Sequence, residues 1–329
     1  MRKKVILSAS IIFLSAFSIS AGFDQAGHEF KFNIWARVAR TVHLGLNNQA
    51  FAAKALKLGL FDPSKTYSRD RRVSIEHAFV EWQAEASRLP KFFRYSKHLD
   101  RQPMLTIEPW PSWRWQRLQR DGDTHMLLSN IQNGDYDPEI KSMCGQIGAT
   151  GDAVLVRWGH EMEDGRYPWS NAEPSDFIAA FRYFVRECRN LAPNAHFVWS
   201  PKGHRQLQEY YPGDEYVDFI GVSLFAIQKA ELAYYGKPRS AAESISERYS
   251  RISRYNKPVI IAELGVFGSD KYLETWFSHL REKISLKYPL IDAVVYFSDT
   301  EPHRLPEPIG APDWQLGTEY FLGQFIPNP

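Results

Sequence analysis

Eight short apolar runs punctuate the chain, at 55–61, 75–82, 103–110, 153–161, 196–201, 217–225, 258–267 and 292–299. Most are continuous rather than alternating, as expected of strands buried on both faces of a parallel sheet. Between them lie segments with helical spacing of apolar residues. The clearest is 174–191, where Phe177, Ile178, Phe181, Phe184 and Val185 mark one face and Ser175 and Asp176 mark a start. Similar patterns predict helices over 87–99, 123–132, 138–147, 241–255 and 270–287. The connections after the first and fifth runs are short and irregular. Eight strands with crossovers, spread over about 250 residues, predict an α/β fold of the (β/α)8 TIM-barrel type. A doubly wound open sheet competes, but no glycine-rich loop follows the first run. The pattern implies one barrel domain over 55–304, preceded by an extension at 22–54 and followed by a tail, 305–329, that packs on the barrel.

The first 21 residues do not fit this alternation. Arg2, Lys3 and Lys4 precede an apolar stretch, and small residues follow at 18–22. That order predicts a cleaved signal peptide over 1–21. The apolar run is short for a membrane-spanning helix. A secreted or periplasmic protein is expected, with no stable membrane association after cleavage. Such a compartment permits a disulfide. Cys144 and Cys188, the two cysteines of the chain, fall in predicted helices on either side of the fourth strand. A bridge and two buried thiols are both open at this level.

In a barrel, function gathers at the C-terminal ends of the strands. Here those ends carry Asp62, Glu81, Glu108, Glu161, Glu263 and Asp299, with Glu301 just beyond. Packing has no use for so many carboxylates. Among 329 residues there are also ten Trp. Carboxylates and aromatic rings at one barrel mouth suggest glycan chemistry, since rings stack on sugar faces and a carboxyl pair cleaves the acetal. The net charge of +2 becomes slightly negative once Arg2, Lys3 and Lys4 are removed, so nucleic acid is not an expected partner. No metal or cofactor is expected: His160-Glu161-Met162 lacks the second histidine of the zinc-protease helix.

The most specific segment is Arg157-Trp158-Gly159-His160-Glu161-Met162, followed by Tyr167-Pro168-Trp169. With Tyr210-Tyr211-Pro212-Gly213-Asp214 before the sixth strand and Ile261-Ala262-Glu263-Leu264-Gly265 in the seventh, it resembles glycoside hydrolase family 26, a family of retaining (β/α)8 glycosidases. The resemblance covers roughly residues 55–300. It implies Glu161 as acid/base, Glu263 as nucleophile and His160 as a contact to the sugar at the point of cleavage. A retaining pair stands about 5–5.5 Å apart. Glu108, Trp110, Trp113, Tyr167 and Trp169 are the expected substrate contacts beside His160. Glu108 is also the rival catalytic carboxylate. Arg157 is four residues before Glu161 and shares its strand parity, which makes it a possible ion-pair partner of Glu161.

The chain departs from the family pattern at Ser223 and Phe225, where an aspartate and a tyrosine are usual. That tyrosine ordinarily orients the nucleophile, and Tyr234, Tyr296 or a water could take its place. The expected activity is a secreted retaining endo-β-glycanase acting on β-mannan or mixed-linkage β-1,3-1,4-glucan, with a polysaccharide as its partner. The alternative is a non-catalytic glycan-binding or exopolysaccharide-assembly protein on a glycosidase scaffold. Retention of both carboxylates favours the enzyme.

Overall fold

The computed structural model describes residues 56–325 except 84–85, 112–125, 171, 279, 302–304 and 306–308. The expected leader over 1–21, the expected extension over 22–54 and Trp113 therefore lie outside the described residues. All described residues belong to the compact unit Ala53–Pro329. Eight parallel strands close on themselves in chain order: β1 (Lys57–Phe61), β2 (Val73–Glu81), β3 (Gln102–Glu108), β4 (Val154–Trp158), β5 (Ala195–Trp199), β6 (Phe219–Ile227), β7 (Val259–Phe267) and β8 (Ile291–Phe297). β1 pairs with β8 through Lys57↔Ala293 to Phe61↔Phe297, which completes the (β/α)8 barrel.

The crossovers carry α1 (Leu89–His98), α2 (Met126–Gln132), α3 (Asp137–Gly148), α4 (Pro174–Leu191), α5 (Gln228–Tyr235), α6 (Ala241–Ile252), α7 (Asp270–Phe277) and α8 (Leu280–Lys287). Helix α5 was not legible in the apolar pattern: of its eight residues only Glu231 is buried. The single helix expected over 270–287 is interrupted after Phe277, giving α7 and α8. After β5 the chain forms only 3-10 turns at Arg205–Tyr210 and Asp214–Tyr216. None of the described helices is long and apolar enough to cross a membrane.

Two cores form because each strand has two buried faces. Outward-facing residues meet the helices: Trp158 stacks on Phe184 at 5.1 Å, and Phe177 and Phe181 of α4 close around it. Cys144 of α3 and Cys188 of α4 form a disulfide with Cα atoms 5.2 Å apart, tying together the helices that flank β4. The barrel interior holds a separate apolar plug of Ile75, Met104, Leu155, Val198, Ile260, Ala262, Ala293 and Val295. Two residues further along the strands the interior turns polar, with His77, Thr106, Arg157, Ser200 and Ser223 all buried. The site rests on that layer.

Beyond β8 the chain returns over the strand ends. A 3-10 turn at Trp314–Gly317 leads into α9 (Thr318–Gly323). The Tyr296 hydroxyl donates to the Trp314 carbonyl at 2.9 Å, and Thr318 Oγ1 donates to Ser298 Oγ at 2.9 Å. Trp314 packs on Phe225, centroids 4.9 Å apart.

Candidate active site

The alternation of β4 carries Leu155 and Arg157 inward, and Glu161 continues that parity past the strand end. The turn that delivers Glu161 is unusual. Gly159 has φ +54° and Glu161 has φ +53°. A non-glycine residue in the left-handed region costs roughly 1–3 kcal/mol, a strain that clusters at functional positions. The surroundings fix it: Gly159 N–H donates to the Ile107 carbonyl at 3.2 Å, Glu161 N–H to the Ser200 carbonyl at 2.8 Å, and Met162 is fully buried.

Glu263 arrives by a different device. Ala262 belongs to the interior plug, so simple alternation would send Glu263 outward to the helices. The register with β6 slips, however, pairing Val222 with Ile261 and Ser223 with Glu263. β7 thus carries one extra residue there, which turns Glu263 inward as well. Its Oε1 lies 2.6 Å from Arg157 Nη1, forming a sealed ion pair. The same guanidinium donates from Nε to Ser200 Oγ (2.7 Å), from Nη1 to Thr106 Oγ1 (3.2 Å) and from Nη2 to Ser223 Oγ (3.1 Å). Thr106 Oγ1 is also 2.7 Å from His77 Nε2. Arg157 is therefore the counter-ion of Glu263, not of Glu161. Burial pushes the Glu263 carboxyl up to about 7; Arg157 opposes the rise, and the charges of Glu161 and Glu108 add to it. The two candidate carboxylates thus share one electrostatic site.

Two cations stand over Glu161 instead. Arg166 Nη2 is 3.3 Å and Lys202 Nζ is 3.6 Å from Glu161 Oε2. Both also pair with Asp164, Lys202 at 3.0 Å. His160 is buried, with Nε2 3.3 Å from the Tyr167 hydroxyl. Burial, then Arg157, holds its imidazole well below its usual range, so it stays neutral. The Tyr167 hydroxyl is pushed up, first by burial and then by the charges of Glu161, Glu263 and Glu108.

The remaining expected residues divide. Trp110 is half-buried, and its indole N–H donates to Glu108 Oε2 at 3.1 Å. Trp169 has no exposed surface. Its indole N–H donates to the His160 carbonyl at 2.7 Å, and its ring stacks on Tyr167 at 4.6 Å. Trp169 therefore supports His160 and Tyr167 from behind. Asp62 and Asp299 serve turns: Asp62 accepts from Ser64 Oγ and Tyr67 N, Asp299 from Thr300 N. Neither proposed stand-in for the strand 6 tyrosine reaches Glu263. Tyr234 is 73% exposed on α5, and Tyr296 holds Val266 and Trp314. Arg157 orients Glu263 in their place. Its signal was in the sequence, as one inward-facing cation in an otherwise apolar strand. Ser200, Thr106, Lys202 and Trp314 carried none. No group of three metal-ligating side chains occurs among the described residues.

A parallel barrel with a buried carboxylate pair at its C-terminal mouth defines a class, the (β/α)8 glycosidases. The particular family follows from comparison. The model of "Glycosyl hydrolase family 26" matches residues 79–300, and the chain belongs to that family. Endoglucanase H of Acetivibrio thermocellus is 24% identical over 243 residues, covering 70% of this chain and 25% of that protein. The mannan endo-1,4-beta-mannosidase A and B of Caldalkalibacillus mannanilyticus is 32% identical over 165 residues, covering 45% of this chain and 28% of that protein. This chain thus spans about a quarter of the length of these relatives. Among solved structures, the Podospora anserina GH26-CBM35 beta-(1,4)-mannanase superposes with a TM-score of 0.52 at 15% identity, over 75% of this chain and 56% of that one.

Proposed function

We propose that the protein is a retaining endo-β-glycanase, exported through its leader, that hydrolyses β-mannan or mixed-linkage β-glucan with Glu161 as acid/base and Glu263 as nucleophile. The observation that carries this reading is the asymmetry of the pair. Glu263 is held by a sealed guanidinium at 2.6 Å, which suits an attacking carboxylate, and Glu161 is presented from a strained turn at the end of β4. In such a reaction one carboxyl protonates the leaving oxygen while the other attacks the sugar, and the first then deprotonates the incoming water. Arg157 favours the ionised form of Glu263 and holds it in line. The Tyr167 hydroxyl, backed by the buried neutral His160 at 3.3 Å, offers a hydrogen bond to the sugar at the point of cleavage. Names of relatives that specify glucan and mannan support the substrate class.

The test is turnover on mannan, mixed-linkage β-glucan and β-1,3-xylan with two variants. Glu161→Ala should lose about 10²–10⁴-fold on polysaccharide. With an aryl glycoside it should accumulate a glycosyl-enzyme, and azide should release the retained β-azide. Glu263→Ala should form no such intermediate. Polysaccharide cleavage by Glu161→Ala at the wild-type rate would transfer the role to Glu108. Absence of turnover on every glycan would favour the non-catalytic alternative.

A further inference from the structure

Four strands of the barrel contribute to one row of polar contacts. Glu263 of β7 pairs with Arg157 of β4 through Nη1 at 2.6 Å. The same Nη1 donates to Thr106 Oγ1 of β3 at 3.2 Å, and that oxygen lies 2.7 Å from His77 Nε2 of β2. His77 ends the row. It is buried, and its ring packs on Phe79 at 4.7 Å and on Phe61 at 5.8 Å between centroids. A hydrocarbon ring would fill this place without taking two nitrogens out of water, a burial that costs free energy unless hydrogen bonds offset it. Packing alone therefore does not account for a histidine here.

The hydrogen positions follow from the donors. A guanidinium only donates. Thr106 Oγ1 therefore receives from Arg157 and points its own hydrogen elsewhere, and His77 Nε2 is the acceptor that faces it. Nε2 must then be the bare nitrogen, with the ring proton on Nδ1. Burial, then the charge of Arg157, holds this imidazole well below its usual range, so it does not take up the second proton that would abolish the acceptor. Nε and Nη2 of Arg157 are held by Ser200 and Ser223. Nη1, the nitrogen on Glu263, has the Thr106 hydroxyl as its neutral anchor. Without an acceptor at His77, that hydroxyl is free to turn its hydrogen towards Arg157, and the anchor is lost.

We propose that His77 is a positioning residue for Glu263: it accepts the Thr106 hydroxyl, and the hydroxyl so oriented keeps Arg157 Nη1 on the carboxylate. This rests on Glu263 as the nucleophile in the reading above and adds a residue that acts on it through two others. Of the charges acting on Glu263, Arg157 favours the ionised form, and Glu161 and Glu108 oppose it. Arg157 and the neutral His160 are the titratable groups that act on or with His77. A loosened Arg157 therefore raises the Glu263 carboxyl further and moves the acid limb of the activity profile to higher pH.

The experiment is a double-mutant cycle of His77→Phe and Thr106→Val on mixed-linkage β-glucan or β-mannan, read as kcat, KM and the pH profile. Each single variant should lose about 3–10-fold in kcat with KM unchanged, the worth of one neutral hydrogen bond. Each should also move the acid limb to higher pH. The double variant should lose no more than Thr106→Val alone, because the two groups act in series. His77→Gln, whose amide oxygen accepts, should recover most of kcat and restore the limb. Additive losses, or an acid limb unmoved in His77→Phe, would overturn the inference, reduce His77 to packing and leave the glycanase reading intact. If His77→Phe does not fold, the other two variants decide: Thr106→Val must move the limb and His77→Gln must not. If no glycan is cleaved, the glycanase reading fails by itself, and carbon-13 NMR titration of the Glu263 carboxyl, assigned with Glu263→Gln, still reads the link. A midpoint raised in His77→Phe upholds the positioning role without hydrolysis. An unchanged midpoint rejects it.

Discussion

Arg157 concentrates most of the site's energetics in one residue. It is buried without exposed surface and satisfied by Glu263, Ser200, Thr106 and Ser223. Breaking a buried pair by removing one partner costs about 3–5 kcal/mol, because the other charge is stranded. Arg157→Met should therefore destabilise the protein, more at pH 8 than at pH 5, and move the acid limb of the activity profile to higher pH. Glu263→Gln gives the complementary sign. A carboxyl raised to about 7 in the folded state favours folding while protonated, and that contribution is lost as pH rises through about 7. Relative to wild type, the Gln variant should gain stability as pH climbs from about 4.5 towards 7 and level off above it, by a few kcal/mol at most. Melting curves at pH 5, 7 and 8 for both variants check the sign. No change with pH would mean that Glu263 titrates in its ordinary range.

Individual elements place these residues. Helix α4 covers the outer face of β4 with Phe177, Phe181 and Phe184 around Trp158, and the Cys144–Cys188 bridge holds α3 beside it. The bridge closes a span of 44 residues, for which chain entropy predicts about 4 kcal/mol of stabilisation. Reduction, or Cys144→Ala with Cys188→Ala, should lower stability by about 2–5 kcal/mol while leaving the active-site residues in place. Chemical unfolding with and without reductant, with kcat measured on the folded protein, separates stability from chemistry. The apolar pattern located the strands and α4 because both bury faces large enough to leave a periodic record. It did not locate α5, whose surface is mostly exposed.

Over the whole molecule, the described residues 313–325 beyond β8 pack on the barrel at the ends of β6 to β8. Trp314 is buried against Phe225, and Tyr296 and Ser298 reach out to hold the segment. Trp314→Ala should cost about 3–5 kcal/mol through the cavity it leaves. If that segment also steadies Phe225 and β7, kcat should fall alongside the melting temperature. An unchanged melting temperature would show that the barrel stands without it. Export is checked separately: N-terminal sequencing of protein recovered outside the cytoplasm should begin near residue 22.

Strand number, the parallel sheet and the closed barrel followed from the sequence, because continuous apolar runs separated by helical segments are local, additive signals. Glu161 was legible for the same reason, since β4 parity carries it inward with Arg157. Other features depended on contacts between distant segments. Parity alone would turn Glu263 outward from a strand that also points Ala262 in; the extra residue between the pairs Val222↔Ile261 and Ser223↔Glu263 reverses it. Which carboxylate Arg157 serves, and that Lys202 joins Arg166 over Glu161, were likewise settled only when β4, β5 and β7 came together. Register and side-chain pairing across a closed barrel are properties of the assembled sheet, and no single strand encodes them.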